Sequence, residues 1–134
     1  MTRDDASDTL PTPKEILATH EEIERAYDMK YTGVRVAAPK LKLERIVRGA
    51  DDYDDLYHRA AYLLRKLVTA HLFEDGNKRT AWVTVRKYLA DNGETPARRD
   101  SNAGRVLRRI RRYDVAEIAE WLEAGEIDES RLGP

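Results

Sequence analysis

Along this 134-residue chain, apolar residues recur at three- and four-residue intervals, the spacing of one face of a helix, and no stretch alternates long enough to make a convincing strand. After a polar, acidic start over residues 1–11, Thr12-Pro13-Lys14-Glu15 forms a capping box with proline at the first helical position. It predicts a helix to about Tyr31 with Ile16, Leu17, His20, Ile23 and Tyr27 facing inward. For His20 on that face, a satisfied core histidine is the favoured reading over a catalytic one. Residues 32–52 are the least readable part. Gly33 breaks the first helix, Pro39 holds its predecessor extended, and residues 43–47 predict a short helix ending at Gly49. This region reads either as a flap or as a connector.

The strongest periodicity lies over residues 55–70, where Leu56, Ala60, Leu63, Leu64 and Leu67 share a face and the same wheel projects His71 onto the inward stripe. The acidic run Asp51, Asp52, Asp54 and Asp55 suits the positive end of that helix. Asp75-Gly76-Asn77 is a turn signal, followed by a helix with Ala81, Trp82, Val85, Tyr88 and Leu89 inward and a stop at Asp91-Asn92-Gly93. Residues 94–102 read as a loop. A helix over residues 103–112 turns Val106, Leu107 and Ile110 inward and sets Arg105, Arg108, Arg109 and Arg112 in a stripe on the other face. That stripe reads as a solvated surface or as a dock for an acidic partner or substrate. Asp114 with Glu117 predicts a last capped helix, with Val115, Ile118, Ala119 and Leu122 inward, Trp121 to one side and Gly125 ending it. The expectation is an all-α fold: a loose tail over residues 1–11, one domain over residues 12–125, and a polar C-terminal tail over residues 126–134.

Composition narrows the chemistry. Hydrophobic residues make up 41% and charged residues 37%, which reads as globular and soluble. With no cysteine there is no disulfide framework, thiolate nucleophile or zinc–thiolate site. No apolar run approaches the ~20 residues that span a bilayer, and the start of the chain is no signal peptide, so a cytoplasmic protein without a membrane partner is expected. A net charge of −1 and a pI near 6.3 carry no overall nucleic-acid signature.

The chemistry concentrates in His71-Leu72-Phe73-Glu74-Asp75-Gly76-Asn77-Lys78-Arg79. Gly76 lets consecutive amides curl toward one anion at a helix N-terminus. Arg79 can clamp phosphate oxygens and Lys78 adds a point charge. Asp75 stands where a carboxylate can hold Mg²⁺ on a bound triphosphate. Histidine, with an intrinsic pKa of about 6.5, can take a proton from an attacking hydroxyl. Each feature alone has an ordinary structural explanation; together in so short a stretch they supply the parts of phosphoryl or nucleotidyl transfer.

The same stretch resembles the Fic/Doc signature H-x-F-x-[DE]-[GA]-N-[GK]-R at His71, Phe73, Asp75, Gly76, Asn77, Lys78 and Arg79, and its surroundings look like the death-on-curing (Doc) toxin branch. The resemblance implies a compact helical bundle whose central helix–loop–helix carries the active site. It implies a transferase using ATP and Mg²⁺ on a protein hydroxyl, with His71 as general base, Asp75 as metal carboxylate, Gly76, Asn77, Lys78 and Arg79 as the phosphate cradle, and Phe73 as the loop's buried anchor. Lysine at 78 and tryptophan at 82 depart from the adenylyl transferases of the family, which carry glycine and a second arginine there. They favour transfer of the γ-phosphate, with a threonine of elongation factor Tu as the implied target; adenylyl transfer is the alternative. No Ser or Thr is followed four residues later by Glu, so the inhibitory helix of self-restrained relatives is not found and the resemblance implies a cognate antitoxin. A catalytically silent module binding through the arginine stripe is the remaining reading.

Overall fold

The computed structural model describes residues 9–97 and 102–133; residues 1–8 of the expected N-terminal tail, 98–101 of the expected loop and the final proline lie outside them. The fold is all-α. Its helices are α1 (Pro13–Tyr27), α2 (Pro39–Asp51), α3 (Leu56–Thr69), α4 (Asn77–Asp91), α5 (Ala103–Arg108) and α6 (Val115–Ala124), with short 3₁₀ turns at Ile110–Arg112 and Glu129–Leu132. Extended pairing among the described residues is confined to one antiparallel bridge, Val34 with Phe73. No helix among them is long and apolar enough to cross a membrane.

α3 is the hub. It packs on α2, α4 and α6, and Ala60, Ala61, Leu63 and Leu64 are fully buried on it. Alanines at two of those positions let neighbouring helices approach, while the leucines fill the space between them. α1 lies against α4 and α2. The local start signals form as the sequence dictates. Thr12 and Glu15 exchange hydrogen bonds at the head of α1, and Asp114 and Glu117 do the same for α6. Asp55 caps α3 by accepting the His58 amide at 2.9 Å, which gives one member of the acidic run a structural task.

Several expected boundaries move. α1 ends at Tyr27, four residues early, because Asp28 turns left-handed at φ 49° and its amide closes the helix onto Glu24. Tyr27 therefore leaves the inward face and is 55% exposed. α2 is a full helix, started by Pro39 and running through Gly49. Glycine there is a packing residue, since a Cβ would stand 2.3 Å from the Tyr62 hydroxyl oxygen. The expected arginine-bearing helix stops at Arg108 and continues as a 3₁₀ turn. Trp121 is buried, not lateral, and donates its indole N–H to Asn102 Oδ1 at 3.1 Å. The polar stretch past Ile127 folds back, with Leu132 buried and the Arg112 guanidinium donating to the carbonyls of Arg131 and Gly133 at 2.7 and 2.8 Å.

Asn102 precedes α5 but does not cap it with its side chain; the amide oxygen serves Trp121 instead. Asn102→Ala should leave that buried N–H without an acceptor and cost about 1–3 kcal/mol, read as a lowered urea midpoint at unchanged m-value. No loss of stability would show that the indole finds another acceptor.

Candidate active site

The chain leaves α3 abruptly. Ala70 closes the helix by donating to the Lys66 carbonyl at 2.9 Å, and His71 then adopts φ 50°, the left-handed region. Histidine is one of the few side-chain-bearing residues that visits that region with any frequency, and a non-glycine residue held there marks a constrained position. The turn overrides the helical wheel: His71 leaves the inward stripe and becomes exposed, while Leu72 and Phe73, each 2% exposed, take the core positions.

Three neighbours hold the loop in this shape. The Asn77 side-chain amide clamps Phe73 on both sides, accepting its N–H at 3.2 Å and donating to its carbonyl at 3.0 Å. Residues 33–35 run alongside, with Arg35 N–H donating to Leu72 O at 2.7 Å and Glu74 N–H to Gly33 O at 3.1 Å. The segment that read as flap or connector is thus stitched to the loop. Below lies His20, its ring stacked on that of Phe73 with centroids 3.6 Å apart and planes at 11°.

His20 is buried and fully partnered, as a core histidine should be. Its Nε2 faces Glu24 Oε2 at 3.1 Å and its Nδ1 faces Thr80 Oγ1 at 2.8 Å. A carboxylate only accepts, so the single proton of the neutral ring belongs on Nε2, and the Thr80 hydroxyl donates to Nδ1. Glu24 Oε2 also accepts the Gly33 amide. One imidazole therefore ties α1 to the loop, to the first turn of α4 and, through Glu24, to the 33–35 segment. Burial lowers its pKa, against the opposing pull of Glu24 and, more weakly, of Glu21 and Asp75.

α4 begins at a glycine. Gly76 is its N-cap at φ 75° and offers no side chain to the first turn. Thr80 is the residue whose amide closes the first helical bond, onto Gly76 O at 2.9 Å. The amides of Asn77, Lys78 and Arg79 precede it at an uncapped helix end, where the helix dipole adds to their pull on an anion. Asp75 Oδ1 accepts the Gly76 amide at 2.7 Å, and the carboxylate stays exposed. These groups open onto a cleft of about 480 Å³ whose lining includes His71, Asp75, Gly76, Lys78, Arg79 and Trp82. A separate cavity of about 300 Å³ along α1 and α4 holds none of them.

All the expected site residues meet at or beneath this cleft, though not all in the expected manner. Asn77 spends its side chain on the loop and has its backbone amide left for a ligand. The Arg79 guanidinium sits over the Tyr27 ring, 4.1 Å from its centroid. Phe73 is the buried anchor. Trp82 lines the cleft and tilts against Trp121, centroids 5.7 Å apart. Sequence reasoning missed Arg35 and Gly104 on the cleft wall, and it missed Arg111, whose Nη2 lies 3.4 Å from His71 Nε2. Arg35 carried no periodic signal, and Arg111 fell off the stripe of the helix expected to run to residue 112, which in the fold ends three residues before it. The group of four arginines divides: Arg109 and Arg112 hold the C-terminal segment, Arg108 lines the cleft, and Arg105 is exposed. Among the described residues no cluster of three or more His, Asp or Glu side chains forms a closed metal site. A Mg²⁺ that shares its coordination with nucleotide phosphates needs only one or two carboxylates, and Asp75 beside the uncapped amides fits that demand.

Because the folded state resists protonating His20 while the unfolded chain does not, the unfolded state binds more protons once pH falls below the residue's ordinary value of 6.5. His20's contribution to stability is therefore complete above that pH and declines below it. Relative to His20→Leu, the wild type should lose stability between pH 6.5 and 5 and show no such difference between pH 7 and 8, measured by urea unfolding. A constant difference across both ranges would contradict a buried neutral ring.

A sequence profile of the Fic/DOC family matches residues 8–89, a span that runs from before α1 almost to the end of α4 and includes the whole loop. The Toxin Doc of Mycolicibacterium smegmatis is 47% identical over 47 residues, covering 35% of this chain and 36% of that protein, so the likeness spans about a third of the relative's length. The family profile covers well over half of the chain and coincides with the helix–loop–helix that presents an exposed histidine beside an uncapped helix end: this protein belongs to the Fic/DOC family.

Proposed function

We propose that the cleft binds ATP and passes its γ-phosphate to a Ser or Thr hydroxyl of another protein, and that the protein acts as a toxin restrained by a cognate antitoxin. The observation that carries this reading is the uncapped start of α4 facing the same cleft as His71. A helix end without a capping side chain is incompletely satisfied on its own, and a phosphate supplies the missing acceptors. In this reading the amides of Asn77, Lys78 and Arg79 take phosphate oxygens, and the Lys78 ammonium and the Arg79 guanidinium add charge. Arg79 does so either from its seat on Tyr27 or by leaving it. Asp75 would hold Mg²⁺, whose charge offsets that of the phosphates.

The chemistry then follows. The acceptor oxygen attacks the γ-phosphorus, the bond from that phosphorus to the β–γ bridging oxygen breaks, ADP departs, and the hydroxyl proton passes to His71. His71 Nε2 is the nitrogen suited to receive it. The guanidinium of Arg111 is a donor only, so the group it faces is a lone pair. At 3.4 Å that contact is at the outer limit of a hydrogen bond and is readily given up to a substrate.

Two side chains favour γ-phosphate over AMP transfer. Lys78 fills the cradle position that is glycine in the family's adenylyl transferases, and Trp82 stands where those carry a second arginine. Packed on Trp121, its indole supplies bulk and no second cation. The likeness to a protein named Toxin Doc supports the toxin assignment, and elongation factor Tu, the target implied by the death-on-curing resemblance, is the acceptor to try first in a cytoplasmic setting. Adenylyl transfer is the second reading, resting on the same cradle.

With purified protein, Mg²⁺ and ATP labelled at the α- or the γ-phosphate, label should reach elongation factor Tu or another lysate protein from the γ-position. His71→Ala should lower transfer by roughly 10²–10⁴-fold while the circular dichroism spectrum is unchanged. Label arriving only from the α-position would establish the adenylyl alternative. No transfer from either would remove the enzymatic reading. In cells, growth arrest that His71→Ala abolishes and the neighbouring reading frame relieves would be the expected toxin behaviour.

A further inference from the structure

Beside the nucleotide cleft lies a second, smaller concavity of about 230 Å³ that shares Val68, His71, Lys78, Leu107 and Arg108 with it and extends to Ile110, Arg111 and Arg112. Its charge is one-sided: Lys78, Arg108, Arg109, Arg111 and Arg112 line it, and no carboxylate does. Arg109 and Arg112 are occupied by backbone carbonyls of the C-terminal segment. Arg111 donates to Thr69 O and faces His71 Nε2, both at 3.4 Å, and neither partner is a carboxylate. Among the described residues no ion pair is formed by Lys78, Arg108 or Arg111. Uncompensated cations around a concavity concentrate the local potential and draw in anions. The pocket has an apolar base of Val68, Leu107 and Ile110, all three buried, so it suits a carboxylate carried on a polypeptide better than a fully hydrated ion.

We propose that this arginine-lined pocket binds an acidic side chain of the acceptor polypeptide, close in sequence to the hydroxyl that receives phosphate, and that drawing Arg111 onto that carboxylate uncovers His71. The inference rests on the protein-hydroxyl transfer described above and adds the acceptor's chemistry to it. The geometry supports the link. The pocket and the nucleotide cleft meet at His71, so a chain that presents its hydroxyl to Nε2 must lay neighbouring residues over one or the other, and the cleft is taken by the nucleotide. A guanidinium bound to a carboxylate gains charge-assisted hydrogen bonds in place of one marginal contact to an imidazole. Substrates with the right charge would thus free the base and dock in the same event, whereas substrates with a basic flank would be repelled.

Fluorescent Ser/Thr peptides with Asp/Glu or Lys at the two positions on either side of the hydroxyl test this, with the full-length protein at saturating ATP. The wild type should use acidic peptides with kcat/KM roughly ten- to a hundred-fold above basic ones, the gap shrinking as salt rises. Arg111→Glu, at an exposed position outside the lining of the nucleotide cleft, should erase or invert the preference through KM for peptide, with KM for ATP changed by less than about twofold on the same charge scale. Arg111→Gln should lose the acidic preference but keep transfer to neutral peptides, because no guanidinium then lies over His71. Equal use of acidic and basic peptides by the wild type would overturn the proposal. So would an Arg111→Glu variant that raises KM for ATP and leaves peptide preference alone, since the arginine would then belong to the nucleotide.

Should no peptide accept phosphate, the transferase reading itself is in question. The pocket is then judged by fluorescence anisotropy of the same peptides without ATP. Binding of acidic over basic peptides that Arg111→Glu reverses would uphold the pocket. Equal binding, or tighter binding of a short single-stranded oligonucleotide, would reject it.

Discussion

The site depends on a helix that begins without a capping side chain. Helices in folded proteins are usually started by a side chain that takes one of the free amides, and losing that cap costs about 1 kcal/mol. α1, α3 and α6 all follow the rule, through Thr12, Asp55 and Asp114. α2, α4 and α5 have no such side-chain cap, and the first turn of α4 faces the cleft. The shape is maintained from outside the helix: by the Asn77 amide that closes the loop on Phe73, and by His20, which stacks on Phe73 and takes the Thr80 hydroxyl. Those contacts are buried or partly buried, and they do not use the amides of Asn77, Lys78 and Arg79. The loop thus keeps its shape while that helix end has no capping side chain.

What could be read in the sequence divides along the range of the forces. Caps and turns are decided within four residues, so the Thr12 and Asp114 starts, the Asp75–Asn77 turn and the stop at Gly125 were all visible. The faces of α3, α4 and α6 follow the 3.6 period and came out largely as expected. The failures are tertiary. Nothing local says that Asp28 turns left-handed and ends α1 early, or that Gly49 sits inside a helix to clear the Tyr62 ring. Nor does a wheel know that the backbone reverses at His71. Projecting the helix one residue too far buried the very side chain that the turn exposes.

The arginines show the same division more sharply. In sequence they read as one stripe with one role, solvated or docking. In the fold the helix stops at Arg108, and the next turn changes period, so side chains that would have lined up point to different places. Arg112 holds the C-terminal segment that had read as a tail, Arg108 reaches the cleft, and Arg111, outside the stripe, reaches the histidine. A change from α to 3₁₀ winding across a few residues is enough to redistribute function among identical side chains.

A net charge of −1 conceals how uneven the surface is. Around the cleft Arg35, Lys78, Arg79 and Arg108 face two carboxylates, Glu74 and Asp75. Acidic residues elsewhere balance the total, but over distances greater than about 10 Å salt largely screens them, so they do little to the field inside a concavity. In the proposed function this local excess is what a triphosphate would meet, with Asp75 the carboxylate beside the uncapped amides. Without Asp75, the amides and cations of the proposed site would still hold phosphate, but no metal carboxylate would help to fix which phosphate lies nearest the histidine. With it, a divalent ion shared between the carboxylate and the phosphates would set the register of the nucleotide. On that proposal, the order of Asp75 and Lys78 around the Gly76 turn would bear on which phosphorus the acceptor meets, more than the number of positive charges does.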